Sequence, residues 1–209
     1  MKCPSCKAEN IDTNKFCGQC GLELAKSTEP ITSTIKGERK QATVLFSDLS
    51  SYTTLSERLD PEKVQEIMGK IFQETNDIIA KYEGRIEKYI GDAVMVLFGV
   101  PKIHEDDPVR AIKAAKEIHG IAEKMSSQVE GVIGLPLSMH TGINTGLIVT
   151  YEDDAEKGTY KVLGDTVNVA SRLCSLAKAG EILVGEDTYS QTVTTDLFPS
   201  WSCLTASLS

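Results

Sequence analysis

Residues 85–99 read Arg-Ile-Glu-Lys-Tyr-Ile-Gly-Asp-Ala-Val-Met-Val-Leu-Phe-Gly. The apolar, β-prone residues on either side of Gly91 and Asp92 predict two strands joined by a tight turn, in which glycine tolerates a positive φ. A second stretch, Ala-Thr-Val-Leu-Phe-Ser-Asp at 42–48, predicts a strand that ends just before Asp48. If this strand lies beside the hairpin, the two aspartates meet at one edge of a sheet.

Two clustered carboxylates repel each other unless a cation lies between them. Their hard oxygen ligands suit Mg²⁺ or Mn²⁺, and two such ions about 3.5–4 Å apart are common in phosphoryl chemistry. The alternative is that Asp48 caps the following helix and Asp92 only makes a turn. For either residue taken alone, that alternative is the more common one.

A third stretch changes the balance between these interpretations. Residues 160–173 read Tyr-Lys-Val-Leu-Gly-Asp-Thr-Val-Asn-Val-Ala-Ser-Arg-Leu. Asn168 and Arg172 are four positions apart, so they share a face of the predicted helix. An amide and a guanidinium that project together can hold a hydroxyl and a phosphate, although on most helices such a pair is simply solvated.

In this order and spacing, the three stretches resemble the class III nucleotidyl cyclase catalytic domain, the adenylate and guanylate cyclase family. The resemblance runs from about Gln41 to about Tyr189. It rests on Phe-Ser-Asp-Leu (46–49), Lys-Tyr-Ile-Gly-Asp-Ala (88–93), Gly-Ile-Asn-Thr-Gly (142–146) and Gly-Asp-Thr-Val-Asn-Val-Ala-Ser-Arg-Leu (164–173). It implies an α+β, ferredoxin-like (palm-type) domain that cyclises a nucleoside triphosphate.

The resemblance also implies which residues contact the metals and the phosphates. Asp48 and Asp92 would hold two Mg²⁺ or Mn²⁺ ions, and the Leu49 carbonyl would contribute to one of them. The turn that follows enters a helix, whose free backbone N–H groups suit phosphate oxygens. The substrate contacts expected in that turn are Ser51, Tyr52 and Thr53. The family often has glycine at the position of Ser51.

By the same resemblance, Arg172 would stabilise charge at the α-phosphoryl group and Asn168 would orient the ribose. Lys88 lies where adenylate cyclases carry a base-reading lysine and guanylate cyclases a glutamate, which favours ATP. Lys161 occupies the second base-reading position, where the family typically has Asp or Thr for adenine and Cys for guanine. Since lysine only donates, it does not accept from the adenine amine, and GTP stays open as an alternative substrate.

Three functions follow from these residues. The first is a homodimeric adenylate cyclase acting in signal transduction, because in the family the active sites lie between two such domains. The second is a guanylate cyclase, which Lys88 disfavours. The third is a catalytically weak, cyclase-like regulatory or dimerisation module, which the retained aspartates, Asn168 and Arg172 disfavour and Lys161 favours. The three histidines show no catalytic arrangement and are predicted to be structural or surface residues: His104, His119 and His140.

The predicted elements follow a βααβ order at the start, which indicates an α+β sheet with helices on one face. The predicted strands are 41–47, 85–90, 93–98, 135–142, 146–151, 160–163 and a short one near 180–185. The predicted helices are 52–58, 61–82, 108 to about 124, about 166–177 and one that begins at 186. The Gly-Ile-Asn-Thr-Gly motif is predicted to be the turn between two of these strands.

Four of the six cysteines follow the pattern C-x2-C-x10-C-x2-C within the first 20 residues. Paired C-x2-C knuckles present four thiolates to one tetrahedral zinc, so the predicted zinc ligands are Cys3, Cys6, Cys17 and Cys20. Four thiolates leave no open coordination position, which indicates one structural Zn²⁺. The alternative, a pair of disulfides, would need an exported chain, and no secretory h-region is present. The ribbon is expected to dock a protein partner whose identity the sequence does not give.

The predicted domains are a zinc ribbon at 1–25, a polar linker at 26–39, the catalytic domain at 40–190 and an irregular tail at 191–209. The tail lacks the final hairpin with a phosphate-contacting lysine that the family usually has, so a truncated product is expected. A net charge of −8 argues against nucleic-acid binding. No apolar run approaches the ~20 residues that cross a bilayer, and a cytoplasmic location is expected.

Overall fold

The structure, a computed structural model, describes residues 2–3, 5–11, 16–22, 37–154 and 159–193, without the side chains of 152–154, 159 and 160. The chain divides into two compact units, Met1–Lys36 and Gly37–Ser209. The predicted linker and the predicted tail lie largely outside the described residues. Among the helices that are described, none has the length and apolarity needed to span a membrane.

The described part of the larger unit contains one mixed sheet and five helices. The strands are β1 (Glu38–Leu49), β2 (Arg85–Ile90), β3 (Ala93–Phe98), β4 (Met139–Asp154), β5 (Thr159–Leu163) and β6 (Ile182–Val184). The helices are α1 (Tyr52–Arg58), α2 (Pro61–Lys81), α3 (Asp107–Ile133), α4 (Asp165–Leu176) and α5 (Glu186–Thr192). The predicted α+β class is confirmed.

The central strand of the sheet is β1, in the order β2-β3-β1-β4-β5. It pairs antiparallel with β4 along its whole length, from Glu38 opposite Thr150 to Leu49 opposite Met139. On its other side it pairs with β3, which β2 follows, and β6 runs parallel to β4. Six consecutive residues of β1, from Ala42 onward, are buried. This burial fits a central strand, because both of its edges are paired and both of its faces are covered.

Helices cover both faces of the sheet, so the prediction that they lie on one face is wrong. Alternate residues of β1 point to opposite faces. Leu45 and Leu49 pack into the core formed with α1, α2 and α3. Val44 and Phe46 pack on the other side with Ala170 of α4. The sequence of β1 from 42 to 46, apolar except for Thr43, already fits a strand that is buried on both faces.

β4 is one continuous strand, so the predicted turn at 142–146 is wrong. The glycines of that motif permit close packing instead. A Cβ on Gly142 would run into the backbone of Ala170 and Cys174, and one on Gly146 would lie 2.7 Å from the Thr166 hydroxyl. Glycine inside a strand often marks such a close approach, and here it lets α4 lie directly on β4.

Helix α3 also extends beyond its predicted end near residue 124. Met125, Val129 and Ile133 are buried at four-residue spacing, so the apolar face of the helix continues for two more turns. Gly134, with a φ of 73°, then ends the helix, and its N–H donates to the Glu130 carbonyl. The segment after it leads into the start of β4 beside the end of β1.

Candidate active site

Asp48 and Asp92 lie at the same edge of the sheet. Asp48 is the penultimate residue of β1, and the pairing of Ser47 with Val94 places Asp48 across from the start of β3. Asp92 is in the β2–β3 turn, which Gly91 forms with a φ of 65°. Burial, and then the negative charge of Asp48, raise the pKa of Asp92 to about 6. The two carboxyl groups therefore repel each other across a short gap, as the sequence predicts.

Asp48 does not cap the helix that follows it. Its Oδ1 accepts a 2.8 Å hydrogen bond from the Leu49 N–H, and the N-terminal cap of α1 is Ser51, whose side chain makes no capping bond. The half-buried Asp48 carboxylate is thus held by the backbone at the end of β1, and it does not cap α1. Two carboxyl groups this close, with the pKa of Asp92 raised by burial and by the charge of Asp48, form a donor set suited to a divalent cation.

The turn between β1 and α1 is tied to the segment that precedes β4. The Ser50 N–H donates to the Ser138 carbonyl at 2.9 Å, and the Ser51 hydroxyl donates to the Pro136 carbonyl at 2.9 Å. Tyr52 opens α1 and is half-buried, and Thr53 is exposed. The hydroxyl of Ser51 therefore serves the fold, where the family often has glycine. A role for Ser51, Tyr52 and Thr53 in substrate binding stays a prediction.

The pair Asn168 and Arg172 is exposed on α4. The buried face of the helix, which includes Ala170 and Leu173, packs on the sheet, and the pair points away from that face. In the described part of the chain, the side chains of Asn168 and Arg172 make no hydrogen bond and no ion pair, with Asp48 or with any other residue. One chain alone does not bring the four predicted catalytic groups together.

The two predicted base-reading lysines lie on different strands. Lys88 is exposed on β2, and Lys161 is exposed on β5. In the strand order these are opposite ends, with β3, β1 and β4 between them.

His140 belongs to the carboxylate edge, which the sequence reasoning missed. It is directly opposite Asp48 in the β1–β4 pairing, with its Nε2 3.7 Å from Asp48 Oδ2. Its Nδ1 lies 3.0 Å from the Ser50 hydroxyl. The predicted turn at 142–146 is the reason for the error, because it left His140 near the end of a short strand. A continuous β4 places it against a metal-ligand candidate.

The four N-terminal cysteines form a cluster in the smaller unit. Their sulfur atoms all lie within 4.8 Å of one another, and the separations Cys3–Cys20 and Cys6–Cys17 are 3.7 and 3.6 Å. All four cysteines are free in the structure, and these two separations are far longer than the S–S bond of about 2.05 Å. They match the edge of a sulfur tetrahedron around zinc, which is about 3.8 Å for Zn–S bonds of about 2.3 Å.

Backbone amides favour the thiolate form in this cluster. N–H groups of Cys20 and Gln19 lower the pKa of Cys17 to about 6, and those of Cys6 and Ser5 lower the pKa of Cys3. The Ala8 N–H lowers the pKa of Cys6, but desolvation and the neighbouring thiols that compete for negative charge outweigh it and raise this pKa to about 12. A cation at the centre removes that competition, because thiolates are the form that ligates zinc.

Comparison with known proteins agrees with this geometry. Residues 35–198 match the adenylate and guanylate cyclase catalytic domain. Among solved structures, the adenylyl cyclase CyaB from P. aeruginosa is 36% identical with a TM-score of 0.68, over 75% of this chain and 82% of that one. The guanylyl cyclase Cya2 is also 36% identical, with a TM-score of 0.67, over 74% of this chain and 79% of that one. The chain therefore belongs to the class III adenylate and guanylate cyclase family.

Curated relatives are longer than this chain. Adenylate cyclase 1 of Rhizobium meliloti is 32% identical over 142 residues, which are 67% of this chain and 21% of that protein. An adenylate cyclase of Mycobacterium bovis is 27% identical over 161 residues, 77% of this chain and 35% of that protein. The chain thus spans about a fifth to a third of the length of these two relatives.

The carboxylate pair leads to a prediction about titration. In buffer without divalent cations, the Asp92 carboxyl should titrate near pH 6. The Asp48→Asn substitution should lower this pKa by removing a negative charge, yet leave it above 3.8 because burial, the larger cause, remains. Since the folded pKa is raised, protonated Asp92 stabilises the fold below about pH 4, and this stabilisation is lost as pH rises through 6.

Carbon-13 NMR of labelled aspartate carboxyls measures the pKa directly. Asp187→Asn, which removes the same charge from the exposed start of α5, is the control and should leave the Asp92 titration unchanged. An Asp92 pKa near 3.8, or one that Asp48→Asn does not move, would show that the two carboxyl groups are not neighbours.

Proposed function

We propose that the chain is an adenylate cyclase, which converts ATP to cyclic AMP and pyrophosphate. The observation that carries this proposal is the meeting of Asp48 and Asp92 at one sheet edge beside the start of α1. In the reaction, the ribose 3′-oxygen forms a bond to the α-phosphorus, the bond from that phosphorus to the bridging oxygen breaks, and pyrophosphate leaves. The active site must therefore take up the proton that the 3′-hydroxyl loses and stabilise the negative charge on the phosphates.

Asp48 and Asp92 are the proposed ligands of two Mg²⁺ or Mn²⁺ ions, with the Leu49 carbonyl as a further ligand. Such ions, when bound, lower the pKa of a coordinated hydroxyl and neutralise phosphate charge. Both carboxylates are held by the backbone of the sheet, so their oxygen atoms need little reorganisation to meet a cation. The raised pKa of Asp92 supports this fit, because burial and then the negative charge of Asp48 disfavour its ionised form, and a bound divalent cation would favour that form.

We infer that Arg172 stabilises the charge that develops at the α-phosphoryl group and that Asn168 orients the ribose. Both are exposed on one face of α4 and make no hydrogen bond or ion pair in the described residues, so their donors are available to a ligand. These two residues and the aspartates argue for catalysis over a purely regulatory module, which needs none of them.

We further propose that two copies of the chain share each active site. Asn168 and Arg172 point away from the sheet on α4, and the carboxylates lie on the sheet edge of the same chain without contact to them. A second copy related by two-fold symmetry can bring its α4 to the carboxylates of the first, and the symmetry then builds two equal sites.

The choice of ATP over GTP rests on Lys88, which lies where the adenylate cyclases have a base-reading lysine. Sequence identity does not distinguish the two substrates, because the adenylyl cyclase CyaB and the guanylyl cyclase Cya2 are equally identical to this chain. Lys161 argues for weak discrimination, since a lysine offers the adenine amine no acceptor. An unsatisfied polar group of this kind costs about 1–3 kcal/mol.

With Mn²⁺, the purified chain should form cyclic AMP from ATP faster than cyclic GMP from GTP, and the Asp48→Ala variant should form neither. Lys161→Thr supplies a hydroxyl acceptor and should raise the ATP over GTP ratio of kcat/KM by about tenfold. Lys178→Thr, which removes the same charge from an exposed loop, should leave the ratio unchanged.

Formation of cyclic nucleotide by Asp48→Ala at the wild-type rate would refute the metal site. Strong rejection of GTP by the wild type, with no gain in Lys161→Thr, would show that Lys161 does not face the base. Preference for GTP would instead identify a guanylate cyclase.

We also propose that the cysteine cluster binds one structural zinc. The purified chain should contain about one zinc per chain, and the double variant Cys3→Ser with Cys17→Ser should lose it, since two thiolates hold zinc poorly. Plasma emission analysis gives the metal content, and the matched control is Cys174→Ser, a buried cysteine of the larger unit. Unchanged zinc in the double variant would rule out this ligand set.

A further inference from the structure

We propose that His140 is a positioning residue for Asp48 and thereby sets the affinity of the carboxylate edge for its divalent cation. The inference rests on the proposed function, because it takes Asp48 as a metal ligand. The observation behind it is a chain of contacts, Asp48–His140–Ser50, that links the strand end of β1 to the turn before α1.

The imidazole lies between two groups of the predicted site. Its Nε2 is 3.7 Å from Asp48 Oδ2, and its Nδ1 is 3.0 Å from Ser50 Oγ. With the ring proton on Nε2, Nδ1 accepts from the Ser50 hydroxyl, and the ring N–H points toward the carboxylate. The other carboxylate oxygen, Oδ1, already accepts from the Leu49 N–H at 2.8 Å. Oδ1 of Asp48 thus has a backbone donor, and Oδ2 lies within ion-pair distance of the imidazole, 3.7 Å away, so a small closing movement would let the ring N–H donate to it.

The strand that carries His140 is firmly held, which a positioning residue requires. The His140 carbonyl faces the Cys174 thiol of α4 at 3.5 Å. The next residue, Thr141, is fully buried, and its hydroxyl lies 2.8 Å from Ser47 Oγ and 2.9 Å from His119 Nε2. Contacts from β1, α3 and α4 therefore fix the backbone on which the imidazole is mounted.

His140 acts on the site through Asp48 and is not itself a ligand in this geometry. In the described ranges, the one group of three or more His, Cys, Asp or Glu side chains whose ligand atoms all lie within 4.8 Å of one another is the four ribbon cysteines, so His140 does not complete such a group with Asp48 and Asp92. Groups that orient a ligating carboxylate typically change metal affinity by 10–100-fold when they are removed. The contact with Ser50 adds a link from the metal ligand to the turn where phosphate binding is proposed.

The test measures Mn²⁺ binding to the full chain with its ribbon zinc in place and without nucleotide, by loss of the free-ion EPR signal. His140→Ala should weaken Mn²⁺ binding by about tenfold, and His140→Gln should recover most of the affinity because its amide can donate to Asp48. Circular dichroism should give both variants the wild-type Tm to within a few degrees. Ser50→Ala should weaken binding in the same direction by about threefold, the worth of one hydrogen bond.

The matched control is His104→Gln. His104 is also half-buried and also faces a carboxylate, with Nδ1 3.3 Å from Asp107 Oδ1, but it lies at the start of α3 and not at the carboxylate edge. This variant should bind Mn²⁺ like the wild type. Asp48→Ala should lose the binding, and if it does not, the metal site itself is refuted.

Loss of binding in Asp48→Ala together with wild-type affinity in His140→Ala would overturn the inference on His140 alone. Equal losses in His140→Ala and His140→Gln would also overturn it, since a donor to Asp48 would then have no effect. If His140→Ala does not fold, His140→Gln and Ser50→Ala decide the question, and wild-type affinity in Ser50→Ala then counts against the contact chain.

Discussion

Repulsion between two carboxylates held at one sheet edge is the constraint on which the rest of the structure depends. On flexible loops, Asp48 and Asp92 would move apart, but strand pairing fixes the backbone on which both aspartates lie. Asp48 ends a strand paired on both sides, and Asp92 sits in a tight turn of the next strand pair. Burial of Asp92 and, after it, the charge of Asp48 raise the pKa of Asp92, so the ionised pair is unfavourable until a cation binds between the two carboxylates.

Local sequence signals were sufficient for most of this edge. The apolar run before Asp48 and the Gly-Asp pair between two β-prone runs predict β1, β2 and β3, whereas the adjacency of β1 and the hairpin is only a condition for the two aspartates to meet. The cysteine spacing likewise predicted the sulfur cluster. Each of these signals lies within a few residues of the feature that it predicts, so no tertiary information was needed.

The errors arose where one residue type serves two purposes. Glycine at 142 and 146 is as typical of a turn as of a strand on which a helix rests, and only the contact of Gly142 with α4 decides between them. The same contact places a helix on the second face of the sheet. Because the turn was predicted wrongly, His140 was not placed opposite Asp48. The end of α3 was missed where Ser126 and Ser127 interrupt the apolar pattern, although Ser126 is buried and its hydroxyl accepts from the Leu137 N–H.

The division of labour within the chain explains why a single copy is an incomplete enzyme in this account. In the proposed mechanism, carboxylates at the sheet edge would bind the cations and the exposed face of α4 would offer donors to the substrate, and no hydrogen bond or ion pair joins the two sets in the described residues. A catalyst of this kind depends on orientation between two rigid surfaces, since effective molarity is lost when either surface shifts. Association of two copies would therefore control activity as well as complete the site.

Mixing two inactive variants tests the shared site most directly. Asp48→Ala and Arg172→Ala chains, each inactive alone, should together regain up to about a quarter of wild-type activity, because random pairing gives half heterodimers with one intact site each. An equal mixture of Asp48→Ala and Asp92→Ala chains should stay inactive, since both lesions fall on the carboxylate side and leave no site whole. Absence of rescue in the first mixture, with heterodimers shown by native mass spectrometry, would contradict a site built from two copies.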